Sequence, residues 1–150
     1  MTQREIIDSF LDNKNLAIAG VSRNSKKFGN IIYKTLKEKG FQITPINPVA
    51  EEIEGQPCLK SVMELAPTMQ HLLIATHKKD TARVLAQAVA KGIPYIWIQN
   101  GCESSEALKL AEEHKVNIIS KACFLMYANP TGVHRFHKTV TRFFGGYISK

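Results

Sequence analysis

A chain of 150 residues, 44% hydrophobic and 22% charged, has the length and the apolar content of one folded globular domain, which argues against a disordered or fibrous polypeptide. No apolar run approaches the roughly 20 residues that a membrane-spanning helix needs. The first ten residues, MTQREIIDSF, lack the apolar core of a signal peptide, so a cytoplasmic protein is expected. The formal charge of +7 is spread over Lys26–Lys27, Lys78–Lys79 and the stretch from Arg135 to Lys150, a dispersed excess that favours an anionic small ligand over nucleic acid.

Thr2 and Glu5 have capping-box spacing ahead of Ile6, Ile7, Phe10 and Leu11, which predicts an amphipathic N-terminal helix. The run Asn15–Ala19 reads as a first strand that stops at Gly20. A polar loop follows, and a helix is expected from Phe28 to Gly40 with Phe28, Ile31, Ile32, Thr35 and Leu36 turned inward. Phe41–Ile46 predicts a second strand, closed by Asn47–Pro48 because proline lacks the ladder N–H and keeps its predecessor out of the helical region. Glu51 to Leu59 reads as a loop with a very short strand around Cys58, and Ser61–Leu65 as one or two helical turns. His71–Ala75 is the third principal strand, and Asp80 is expected to cap a helix carrying Val84, Leu85, Ala88 and Val89 as far as Gly92. Pro94–Ile98 and Val116–Ile119 complete the strands, separated by a helix with Ala107, Leu108, Leu110 and Ala111. A final helix is expected over about 131–144. Short apolar strands alternating with helices of 10–15 residues imply βαβ units, hence an α/β fold: a single doubly wound, Rossmann-like domain over residues 1–150, with a mostly parallel five-stranded sheet flanked by helices.

In such a sheet a ligand sits beyond the carboxyl ends of the strands. The residues leaving the five strands are Gly20–Val21–Ser22–Arg23, Asn47–Pro48, Thr76–His77–Lys78, Gln99–Asn100–Gly101 and Ser120–Lys121–Ala122–Cys123. The first group opens the stretch GVSRNSKKFGN, in which Lys26, Lys27, Phe28 and Gly29 lead into a helix N-terminus, the arrangement that cradles phosphate. Ser22 stands where a dinucleotide fingerprint has its second glycine, and no carboxylate follows the second strand until Glu51, which lowers the weight of an NAD site. Cys58, Cys102 and Cys123 are too scattered for a disulfide framework or a zinc site, and His134 and His137 lack a third metal ligand close in sequence. No nucleophile elbow or paired carboxylates stand at a strand end.

Taken together, GVSRNSKKFGN, then PINP at Pro45–Pro48, then WIQNG at Trp97–Gly101 and then a cysteine after the last strand resemble the small stand-alone CoA-binding domain family. These are Rossmann-like proteins similar to the CoA-binding domain of the succinyl-CoA synthetase α subunit, and the likeness spans about residues 13–127. It implies coenzyme A or an acyl-CoA as ligand. Gly20, Val21, Ser22, Phe28 and Gly29 would approach its phosphates with Lys26 and Lys27 beside them. Asn47 and Pro48 would lie near the adenosine, Thr76 and His77 along the ligand, and Gln99, Gly101 and Cys123 on the pantetheine side. The chain departs from the family pattern at Ala122 and Phe124, where arginine and proline commonly flank the cysteine, and at Thr76–His77, where a phenylalanine–arginine pair is common.

Three functions stay open on the sequence. The first is a CoA-binding module without chemistry of its own, the second an acyl-CoA or thiol-handling enzyme using Cys123, and the third an adaptor for nucleic acid or protein using the basic face of His134, Arg135, His137, Lys138 and Arg142.

Overall fold

The computed structural model describes residues 1–128. The first two helices and strands follow in order: α1 (Gln3–Asn13), β1 (Asn15–Ala19), α2 (Phe28–Glu38) and β2 (Gln42–Ile46). A small hairpin, β3 (Glu52–Ile53) and β4 (Gln56–Pro57), and a 3₁₀ turn at Val62–Glu64 lead to β5 (His71–Ile74) and α3 (Lys78–Lys91). The chain continues through β6 (Tyr95–Gln99), α4 (Ser105–Glu113), β7 (Ile118–Ala122) and the short α5 (Phe124–Ala128). The helix expected over 131–144 lies outside the described residues. Among those described, no helix is long and apolar enough to cross a membrane.

Five strands pair in the order β2-β1-β5-β6-β7, every pair parallel. The expected Rossmann-like parallel sheet is therefore present, and its order reverses between β1 and β5. Successive residues of a strand face opposite sides, so β1 sends Leu16 and Ile18 to one core and Ala17 and Ala19 to the other. The first core is closed by α1, α2 and α5 through residues such as Ile6, Ile32, Leu36 and Leu125. The second is closed by the 3₁₀ turn, α3 and α4 through Val62, Leu85, Ala88 and Ala107.

The ring of Phe10 sits edge-on to His71, Trp97 and Phe124, with centroids 5.0, 5.6 and 5.6 Å away, and so joins α1, the sheet and α5. Trp97 is fully buried and donates its indole N–H to the Ala122 carbonyl at 3.0 Å. At the opposite end of the sheet from the strand carboxyl ends, His71 stacks on Tyr95 and holds Ser9 Oγ at 2.8 Å through Nε2. The capping box at Thr2 and Glu5 forms as its spacing predicts.

Several boundaries differ from the sequence reading. Helix α3 starts at Lys78 with His77 as its cap residue, two residues before Asp80, which lies inside its first turn. β7 starts at Ile118 instead of Val116, because the Val116 N–H closes the end of α4 on the Ala111 carbonyl at 2.9 Å. Tyr33 takes a buried position on α2, while Ile31 and Thr35 are half-buried. The region around Cys58 holds a hairpin instead of one short strand. Its turn is Glu54–Gly55, both at positive φ as a two-residue hairpin turn requires. Asn30 Nδ2 donates to Glu54 Oε1 at 3.1 Å, Tyr33 Oη donates to Gln56 Oε1, and Gln56 Nε2 donates to the Ile43 carbonyl at 2.7 Å, so the hairpin is fastened to α2 and β2. Past the hairpin, the Leu59 N–H donates to the Pro45 carbonyl at 3.0 Å and the Asn47 N–H to the Leu59 carbonyl at 2.9 Å, which lays one residue alongside the outer edge of β2.

Candidate functional site

At the end of β1 the backbone of Gly20 is held from both sides. Its N–H donates to the Ile46 carbonyl at 3.1 Å, and the carbonyl of Ala19 accepts from Ala75 N–H at 2.8 Å. Gly20 has φ +97°, and a Cβ there would overlap the Ala75 carbonyl, with the Thr76 nitrogen only 2.8 Å away. Gly29, in the first turn of α2, is pressed just as closely on the carbonyl of Gly20. Two glycines thus bring the end of β1 against both the start of α2 and the end of β5. A nucleotide-binding corner needs this close approach of strand, turn and helix.

The loop between them is ordered by its own side chains. Ser22 Oγ accepts from Asn24 N–H at 3.0 Å, Asn24 Oδ1 accepts from Lys26 N–H at 2.9 Å, and the fully buried Asn30 donates to the Ser22 carbonyl at 2.8 Å. Asn47 ties this loop to the end of β2. Its Nδ2 donates to the Val21 carbonyl at 2.8 Å, while its Oδ1 accepts from the N–H groups of Val49 and Ala50 at 2.8 and 2.9 Å. A third tie is Thr81 Oγ1, fully buried, which meets Thr76 Oγ1 at 2.9 Å and the carbonyls of Cys102 and His77 at 2.6 and 3.1 Å. Thr81 thereby joins the end of β5, the start of α3 and the loop after β6.

These elements surround a cleft of about 810 Å³ at the reversal point of the sheet. Its size is that of a site for a nucleotide-sized molecule. Its charge is one-sided: among the described residues, Arg23, Lys27, Lys60, Lys78 and Arg83 line it against a single carboxylate, Asp80, which Arg83 holds at 3.4 Å. Both helices that begin at the cleft, α2 and α3, have cap residues, Lys27 and His77, whose side chains accept nothing from the first turn. By contrast, α1 and α4 are capped by Thr2 and Ser104. Positive helix ends, basic side chains and polar backbone around one concavity suit a phosphorylated anion.

Of the residues singled out in the sequence, the structure brings Gly20, Ser22, Lys27, Phe28, Gly29, Asn47, Pro48, Thr76, His77 and Gly101 to the cleft wall. Lys26 is exposed and is not part of that wall, and Val21 is fully buried. Gln99 and Cys123 are buried side by side away from the cleft, where Gln99 Oε1 accepts the Phe124 N–H at 3.1 Å and anchors α5. Burial pushes the Cys123 thiol above its ordinary pKa, with the Gln99 side chain opposing that shift. Cys102, by contrast, does reach the wall, and burial drives its thiol up to about 12, so it carries no thiolate at neutral pH.

The sequence reading missed Lys60, Val62, Arg83, Val84 and Gln87. Asp80, Arg83, Val84 and Gln87 recur at three- and four-residue spacing, one face of a helix leaving a strand end, and that spacing was the available signal. Lys60 had none, since a long-range bridge places it.

Residues 14–129 match the sequence model of a family described as the CoA binding domain. The chain belongs to the CoA-binding domain family. Its ligand class is coenzyme A, as the resemblance implied. Among curated relatives, the α subunit of ADP-forming acetate–CoA ligase II of Pyrococcus furiosus is 27% identical over 129 residues, 79% of this chain and 28% of that subunit. The ADP-forming acetate–CoA ligase II of Archaeoglobus fulgidus is 34% identical over 125 residues, 80% of this chain and 19% of the ligase. The chain thus spans little more than a quarter of these ligases at most. The Bacillus subtilis protein YneT, by contrast, matches over 90% of its own length at 21% identity. Among solved structures, a conserved hypothetical protein of Pyrococcus furiosus superimposes with TM-score 0.71 at 36% identity, covering 75% of this chain and 97% of that one. A hypothetical protein of Pyrococcus horikoshii gives 0.76 at 28% identity over 87% and 92%.

Proposed function

We propose that this CoA-binding domain holds coenzyme A or an acyl-CoA in the 810 Å³ cleft, as a binding module without catalysis of its own. The observation that carries the reading is the doubly pinned corner at Gly20 and Gly29. It puts the turn and the N-terminus of α2 at the sheet's reversal point, where a pyrophosphate is received. The phosphates lie against Gly20, Ser22, Phe28 and Gly29 with Lys27 beside them. Asn47 acts from beneath, fixing the adenosine side of the wall through Val21 and Val49, next to Pro48. The pantetheine runs past Thr76 and His77 toward Gly101 and Cys102.

Coenzyme A carries about four negative charges on a pyrophosphate and a 3′-phosphate, which agrees with five cations against one carboxylate among the described residues of the wall. Catalysis through Cys123 receives no support from the geometry, because that thiol is buried, raised in pKa and outside the cleft. An adaptor role for the basic stretch at 134–142 falls outside the described residues. Isothermal titration with CoA and NAD at two salt concentrations tests the proposal. Selective binding of CoA that weakens with salt is expected; absence of CoA binding, or equal binding of NAD, overturns it.

A further inference from the structure

The outer end of the cleft, past the carboxyl end of β2, carries a cation for which the phosphate loop gives no reason. The bridge of Leu59 to Pro45 and Asn47 fixes the backbone there, and Lys60 is the next residue. Its Nζ lies 3.4 Å from the Val49 carbonyl, above the Asn47–Pro48–Val49 turn. The Glu64 carboxylate is engaged at 3.0 Å by the backbone N–H of Lys60, and the Lys60 ammonium forms no ion pair among the described residues. Arg83, on the α3 wall, differs in having Asp80 as its partner.

In sheets of this kind the adenosine ribose falls at the end of the strand beside the phosphate-binding one. A carboxylate there takes a bare ribose hydroxyl, whereas a basic residue accommodates a ribose phosphate. Here that place holds Asn47, Pro48 and Val49, none of them acidic, and Lys60 Nζ reaches the Val49 carbonyl.

We infer that Lys60 reads the phosphate on the adenosine ribose of coenzyme A, and thereby sets the preference of the cleft for CoA over nucleotides with an unphosphorylated ribose. The inference rests on the CoA reading and adds a residue and a selectivity to it. An exposed ammonium facing a phosphate dianion is worth about a fivefold change in affinity, screened by salt.

The test is calorimetric titration of the wild-type chain, Lys60→Gln and Lys60→Arg with CoA and with 3′-dephospho-CoA at low ionic strength, with NADP and NAD run alongside. The expected result is a wild-type preference for CoA over dephospho-CoA of about fivefold or more, abolished in Lys60→Gln by weaker CoA binding alone and retained in Lys60→Arg. Two results would overturn the inference while leaving CoA binding intact: a preference that survives Lys60→Gln, or a variant that weakens both CoA ligands equally. Wild-type protein that binds neither CoA ligand, or that prefers NADP over both, defeats the CoA reading itself.

Discussion

Gly29→Ala separates the architecture of the phosphate corner from ordinary helix preference. In the first turns of a helix, alanine in place of glycine normally stabilises, by up to about 1 kcal/mol. In α2 the added methyl would sit about 1 Å inside ordinary contact with the Gly20 carbonyl oxygen, with the Gly20 carbonyl carbon at 3.2 Å and Val21 Cα at 3.4 Å. All three neighbours are backbone. Gly20 itself is tied to Ile46 and lies against Ala75, so no flexible side-chain end can yield. Overpacking of this kind costs about 1–3 kcal/mol, and a rigid neighbour favours the upper end, leaving a net loss of about 2 kcal/mol after the helix gain. For a chain of this size that is a fall in Tm of about 4–8 °C. Thermal and urea unfolding followed by circular dichroism measure it, and CoA titration of the folded variant should show weakened binding because the turn must move. A variant as stable as the wild type or more so would refute the reasoning, since it would mean that strand end and helix start are not locked together.

Two further outcomes follow from buried titratable groups. Burial holds the His71 pKa below its ordinary 6.5, against an opposing contribution from Ser9. The unfolded chain then takes up the proton first, so this contribution to stability is complete above about pH 6.5 and declines as the pH falls below it. Urea midpoints measured from pH 7.5 down to 5 should drop across that window, and His71→Gln should flatten the slope; an unchanged slope would show that His71 is not the group responsible. For the cysteines, burial raises all three thiols, but Cys58 is the least enclosed, whereas Cys102 and Cys123 lie in the cores. A thiol reagent at pH 8 should therefore label Cys58 first, with Cys102 and Cys123 labelled only after denaturation, as read by mass spectrometry. Early modification of Cys123 would revive a thiol chemistry there.

The parts of this molecule that were legible in its sequence are those fixed by local chemistry. An apolar run stopped by Gly20 delimits β1 to the residue, and the start of α2 at Phe28 follows from the polar loop before it. Polarity misled where it had two explanations. His77, Lys78 and Lys79 read as a loop rim, yet Lys78 and Lys79 belong to α3. Ser120 and Lys121 read as a strand exit but lie within β7, an edge strand where half-exposed polar residues are tolerated. Gln99 read as a strand exit but is the last residue of β6. Its side chain, like Cys123 after β7, is buried where Gln99 Oε1 accepts the Phe124 N–H of α5, so proximity to a strand terminus did not place either on the cleft. Lys60 depended on a contact across a hairpin, which no window of sequence reveals.

The bridge at Leu59 also bears on how the molecule behaves at high concentration. β2 is a border of the sheet, and an open border is a template on which other chains can align and begin to aggregate. Pro45 has no N–H to offer such a visitor, its carbonyl is already taken by Leu59, and the neighbouring Asn47 N–H is spoken for by the same residue. The carboxyl half of that border is thereby closed to intruding strands. The chain segment that delivers Lys60 to the cleft also protects the sheet from self-association.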